Sequence, residues 1–162
     1  VALSTEKMNK IDLISIVQSV VDDFNNIYIE KRGIKIELIT DNSKNEFKIL
    51  GIENRIEQIL ANLLENAISF SRDNQKIIVE VKKNQNDQVV LRVIDQGQGF
   101  REKKLNKIFD RFYSNRPDKF GEHSGLGLNI VKNLVELHGG VIAASNNTDQ
   151  RGARIEIAFP KV

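Results

Sequence analysis

Asp95 ends the apolar run VVLRVI and is followed by Gly97 and Gly99. One glycine would serve a turn. Two glycines spaced by one residue suit backbone that must come close to a flat ligand. An ionised carboxylate only accepts hydrogen bonds, so it matches the exocyclic amine of adenine and repels the oxygen that guanine carries at the same place. The same residues also fit an Asx-type turn after a strand.

Asn62 and Asn66 stand four residues apart in ANLLENAISF and share one flank of a helix. Asparagine is a poor residue for a helix interior. Its amide oxygen binds a hard cation such as Mg²⁺ without adding charge that would repel phosphates. The competing reading is a pair of solvated asparagines. Further on, Ser124, Gly125, Leu126, Gly127 and Leu128 open a second apolar helix. Free amides and the helix dipole at such an N-terminus favour an anion. No Lys-Ser/Thr follows these glycines, so this is not a Walker loop, and the GxGxxG order of a dinucleotide fingerprint is missing. The glycines also suit a hinge. Phe109 and Phe112, three apart in IFDRFY, fit a core pair or an anchor for the segment that follows.

These groups need elements to hold them. Ile11 to Ile27 carry apolar residues at helical spacing. RGIKIELIT alternates as a strand, and EFKILGI reads as a second. Ile56, Ile59, Leu60, Leu63, Leu64 and Ala67 make the stripe of a helix over 52–70. KIIVEVKKN and QVVLRVI form a hairpin closed by Asn84–Asp87. A short helix follows over about 101–108, then an aperiodic polar stretch over about 111–124. The helix ending at His138 stops at Gly139 and Gly140, as at a C′ glycine. GVIAASN and GARIEIAFP close the chain as strands. The pattern predicts an α+β, two-layer sandwich: about three helices on a mixed, mostly antiparallel sheet.

With 162 residues, 40% hydrophobic and 28% charged, the chain fits one domain with a real core. A net charge of +2 and few aromatics make no case for nucleic acid. The absence of cysteine excludes disulfides, thiolate zinc sites and a cysteine nucleophile.

Taken together and in this order, the motifs resemble those of the catalytic, ATP-binding domain of bacterial sensor histidine kinases, within the Bergerat or GHKL ATPase superfamily. NLLENA resembles the N box, DQGQGF the G1 box, IFDRFY the F box, and SGLGL with the later HGG the G2 box. KIDLISIVQSVVDDF is similar to the usual start of the domain. The resemblance covers about residues 10–160.

It implies that Asp95 reads adenine beside Gly97 and Gly99. Asn66 would coordinate Mg²⁺, with Asn62 near the phosphates. Residues 111–124 would form an ATP lid whose Arg111, Arg116 and Lys119 supply cations. Residues 1–10 would lead in from an upstream domain, and 11–162 would be the ATP-binding domain. It also implies a cytoplasmic domain of an inner-membrane sensor in a two-component system. Its partners would be a dimerising helical hairpin that carries the phosphoacceptor histidine and, indirectly, a response regulator.

Three positions depart from the family pattern. Ser69 and Phe70 stand where a Lys-Tyr pair is common, and His123 stands where the G2 box often begins with glycine. Neither His123 nor His138 has a phosphoacceptor context. His138, in the last helical turn, is expected to be partly cationic and to suit the helix dipole. The alternatives are a nucleotide-binding pseudokinase that acts as an interaction module, and a GHKL serine kinase of the anti-sigma type.

Overall fold

The structure is a computed structural model that describes residues 7–41, 46–100, 105–110, 127–148 and 151–162. Strand β1 (Asn9–Asp12) leads into helix α1 (Leu13–Arg32). Strands β2 (Lys35–Thr40) and β3 (Lys48–Gly51) precede helix α2 (Glu53–Phe70). The hairpin β4 (Lys76–Lys83) and β5 (Val89–Ile94), a 3-10 turn Leu105–Phe109, helix α3 (Gly127–Leu137), and strands β6 (Val141–Asn146) and β7 (Ala153–Phe159) complete the fold.

The main sheet runs β2-β4-β5-β7-β6. Only β2 against β4 is parallel, and the other three pairings are antiparallel. This is the expected mixed, mostly antiparallel sheet. The strand expected in EFKILGI does not join it. It is β3, and it pairs with β1 in a separate two-stranded sheet.

The first helix begins later than the apolar spacing predicts. Asn9–Asp12, expected as lead-in and helix start, is the strand β1. The Asp12 side chain then accepts from the Ile14 amide (3.2 Å) and the Ser15 hydroxyl (2.9 Å), which fixes the helix start. Gly33, at φ +66°, ends α1 as a left-handed cap. Asn25 bonds both the amide and the carbonyl of Ile36, at 2.8 and 2.9 Å, and so straps α1 to β2.

Leu13, Ile59, Leu60, Leu64, Ile77, Leu91 and Ile157 are fully buried between the helices and the sheet. Each such side chain contributes roughly 1.5–3 kcal/mol relative to exposure. Across the opposite face, Arg92 on β5 pairs with Glu80 on β4 and Glu156 on β7. The β4–β5 turn closes at Asn84–Asp87 as expected, with Asp87 at φ +61°. The short helix expected over about 101–108 is, in its described part, a 3-10 turn.

Candidate functional site

The end of β5 projects Asp95 into the interior, where it is 4% exposed. Its Oδ1 accepts from the Gly97 amide at 2.9 Å and the Ala153 amide at 3.1 Å. Among the described residues, Oδ2 takes no hydrogen bond. Burial pushes the carboxyl above its ordinary range, and the two amide bonds only partly offset that rise. One oxygen is therefore fixed by backbone while the other remains for a donor.

The two glycines after Asp95 have separate reasons. A Cβ on Gly97 would overlap the carbonyl of Phe70, the last residue of α2. Gly99 sits at φ +79°, where a Cβ would also lie 2.8 Å from Asn146 Oδ1. The segment 95–100 therefore lies flush against the end of α2. Phe100 meets Phe70 edge to face, with ring centroids 6.5 Å apart.

On α2, Asn66 is buried and Asn62 half-buried. The Ser69 hydroxyl, at the position where the resemblance leads one to expect lysine, donates to the Asn66 carbonyl at 2.7 Å. Ser69 is itself buried, so it ties the helix rather than reaching outward. α3 packs along α2 and starts at Gly127, where a Cβ would meet none of the described residues. Leu128 behind it belongs to the core. Phe109 is buried, and its carbonyl accepts from the Asn129 side chain at 3.1 Å, so it anchors the 3-10 turn to α3. The structure thus gathers Asp95, Gly97 and Gly99 at the end of α2, the helix along which α3 packs. Phe112, Arg116, Lys119, Ser124, Gly125 and Leu126 lie outside the described residues, as does the expected lid over 111–124.

His138 is not the partly cationic cap expected of it. It follows α3 and is 5% exposed. The Ile52 amide donates to its Nε2 at 3.1 Å, so that nitrogen carries no proton. Nδ1 then donates to the Leu134 carbonyl at 2.7 Å. The ring is a neutral connector between α3 and the start of α2, where Ile52 has no side-chain cap.

Sequence reasoning missed the residues that hold 95–100 in place. Gln75 from the α2–β4 connection, Asn146 from the end of β6 and Asn147 from the β6–β7 turn reach this loop. Gly152 is equally necessary, since a Cβ there would overlap the Asp95 carbonyl. The adjacent asparagines before a glycine in NNTDQRG were the only local sign of them.

Residues 51–162 match the family described as histidine kinase-, DNA gyrase B-, and HSP90-like ATPase. The sensor protein ChvG of Agrobacterium fabrum (strain C58) is 34% identical over 168 residues, covering 98% of this chain and 28% of that protein. Sensor protein kinase PmrB of Pseudomonas aeruginosa is 30% identical over 156 residues, covering 96% of this chain and 31% of that one. The chain therefore spans about three-tenths of the relatives it matches. Among solved structures, the catalytic domain of histidine kinase ThkA superposes with a TM-score of 0.81 at 27% identity, covering 96% of this chain and 97% of that one. A structure of ThkA in complex with the response regulator protein TrrA also matches, with a TM-score of 0.78 at 26% identity over 96% of this chain and 42% of that one. The chain belongs to the histidine kinase-, DNA gyrase B-, and HSP90-like ATPase family, and within it has the fold of a histidine kinase catalytic domain.

Proposed function

We propose that this chain is the ATP-binding catalytic domain of a sensor histidine kinase. It positions ATP·Mg²⁺ so that the γ-phosphoryl group passes to a histidine on a separate dimerisation hairpin, and from there to a response regulator. The observation that carries the reading is Asp95: a buried carboxylate with one oxygen held by two backbone amides and the other left to accept from adenine. Membership of an ATPase family and likeness to a histidine kinase catalytic domain support it.

Phosphoryl transfer asks little covalent chemistry of this domain, because placement and charge neutralisation carry the reaction. Asp95, Gly97 and Gly99 would seat the base, with Asn62 and the residues from Ser124 to Leu128 around the phosphates. Arg116 and Lys119 would add cationic charge there. Asn66 suits Mg²⁺, since it offers a neutral amide oxygen and leaves the other ligand positions to phosphate and water. When bound, the ion would neutralise phosphate charge. Among the described residues no helix is long and apolar enough to cross a membrane. The chain spans about three-tenths of these sensor proteins, so a sensing part would lie elsewhere in a parent protein, with this domain on the cytoplasmic side of a membrane.

Calorimetric titration tests the assignment. ATP should bind at least about 100-fold more tightly than GTP, as expected of a site built around a hydrogen bond. Asp95→Asn should remove most of that preference, and Asn66→Ala should abolish the part of ATP affinity that depends on Mg²⁺. Equal affinities for ATP and GTP in the unmodified chain would contradict the reading.

A further inference from the structure

Residues 95–100 form no helix or strand, yet their backbone is held from outside by side-chain amides. Gln75, in the α2–β4 connection, donates to the Gln96 carbonyl at 3.2 Å. Asn146 accepts from the Phe100 amide at 2.7 Å and donates to its carbonyl at 3.2 Å, the same two-point grip that Asn25 uses on Ile36. Asn147 donates to the Asp95 carbonyl at 3.0 Å, while its own amide donates to the Gly152 carbonyl at 2.9 Å. The Asp95 amide in turn donates to the Ala153 carbonyl at 3.0 Å.

The Asp95 peptide is therefore fixed on three sides: by Asn147 at its carbonyl, by Ala153 at its amide, and by Ala153 again at Oδ1. Rotation of that peptide would swing Oδ2 away from its aim. A lost grip on Phe100 would loosen the far end of the same loop together with its contact to Phe70.

We propose that Asn147, Asn146 and Gln75 are positioning residues of the adenine site, with Asn147 setting the direction of the Asp95 carboxylate and hence the choice of base. The inference rests on the adenine reading of Asp95. It extends that reading to the β6–β7 turn, which lies about 50 residues further along the chain.

A change in discrimination separates positioning from mere stability, because general loosening weakens ATP and GTP alike. Asn147→Asp is close to isosteric and places an acceptor against the carbonyls of Asp95 and Arg151, where the amide now donates. Affinities for ATP and GTP are read by competition against a fluorescent ATP analogue, with folding checked by circular dichroism. The ATP-over-GTP ratio should fall about tenfold, on the scale of one net hydrogen bond. Gln75→Ala frees the Gln96 carbonyl and the Arg72 amide but leaves the Asp95 peptide held, so it should shift the ratio less. If Asn147→Asp does not fold, Asn147→Ser removes both bonds without adding charge and carries the same test. A folded variant whose ratio stays within twofold of the unmodified chain overturns the proposal. An unmodified chain that fails to discriminate instead overturns the adenine reading beneath it.

Discussion

The two ends of α3 are built on opposite plans. At the C-terminal end the carbonyls of Leu134, Val135 and Glu136 are all engaged. His138 links the Leu134 carbonyl to the Ile52 amide, and the Gly140 amide donates to Val135 at 2.9 Å. A Cβ on Gly140 would sit 2.9 Å from the Ala158 carbonyl. At the N-terminal end, no described residue lies within 4 Å of where a Cβ on Gly127 would be. A helix of 11 residues, about 16 Å long, thus runs from a locked end to an open one. The locked end sets the register of α3 on α2. Among the described residues nothing fills the open end, and helix N-termini favour anions. Under the proposed function, stability and binding are housed at different ends of one element, so substitutions at the two ends should fail in different ways.

The largest effect is expected at the locked end. His138→Ala leaves the Ile52 amide buried without an acceptor and opens a cavity between α2 and α3. It should cost about 2–4 kcal/mol in urea unfolding. The ATP-over-GTP ratio of the folded fraction should not change. A shift in that ratio would mean the two ends are coupled and the comparison too simple.

Asp95 combines both roles in one residue, and pH separates them. Its folded pKa is raised by burial above the ordinary 3.8, so the folded state holds its proton to higher pH than the unfolded chain does. Stability therefore falls as pH rises from the unfolded value to the folded one, and the penalty persists in full above it. Asp95→Asn should make the free domain more stable than the unmodified chain at neutral pH, with the gain shrinking as pH drops below the ordinary carboxylate range. It should weaken ATP binding at the same time. Thermal melts at a series of pH values check the sign. A variant less stable at neutral pH would show that the two amide bonds to Oδ1 outweigh the cost of burial.

The smallest stability effect belongs to the open end. Gly127→Ala should raise stability by up to about 1 kcal/mol, since the helix gains a better helix former and the new Cβ meets none of the described residues. ATP affinity should fall if phosphate approaches that first turn. Unchanged affinity by calorimetry would place the phosphates elsewhere.

How much of this was readable in the sequence follows the range of the contacts. Asp95, Gly97 and Gly99 sit within five residues, so their types and spacing alone announced a carboxylate beside bare backbone. The α2 stripe set Asn62 and Asn66 on its flank for the same local reason. Asn146 and Asn147 read as no more than a turn, because their partners lie 46 and 52 residues away in sequence. Asn9–Asp12 was also silent: four polar-leaning residues have no strand period of their own and become β1 only by pairing with β3. Helical spacing likewise ran through Ile11, and the Asp12 side chain, not periodicity, decided where α1 begins. The charge state of His138 depended on the Ile52 amide, 86 residues away, which no reading of the helix end could supply.

The central claim is that this chain holds ATP for a histidine it does not itself carry. His138 is engaged at both ring nitrogens and buried behind α3, so it is no acceptor. The direct measurement is incorporation of γ-labelled phosphate in the presence of Mg²⁺, first with the chain alone and then with the parent kinase's helical hairpin added. The account predicts no acid-labile label on the isolated chain, and label on a hairpin histidine once both are present. A chain that binds ATP yet never labels the hairpin, or one that labels itself stoichiometrically, would contradict it.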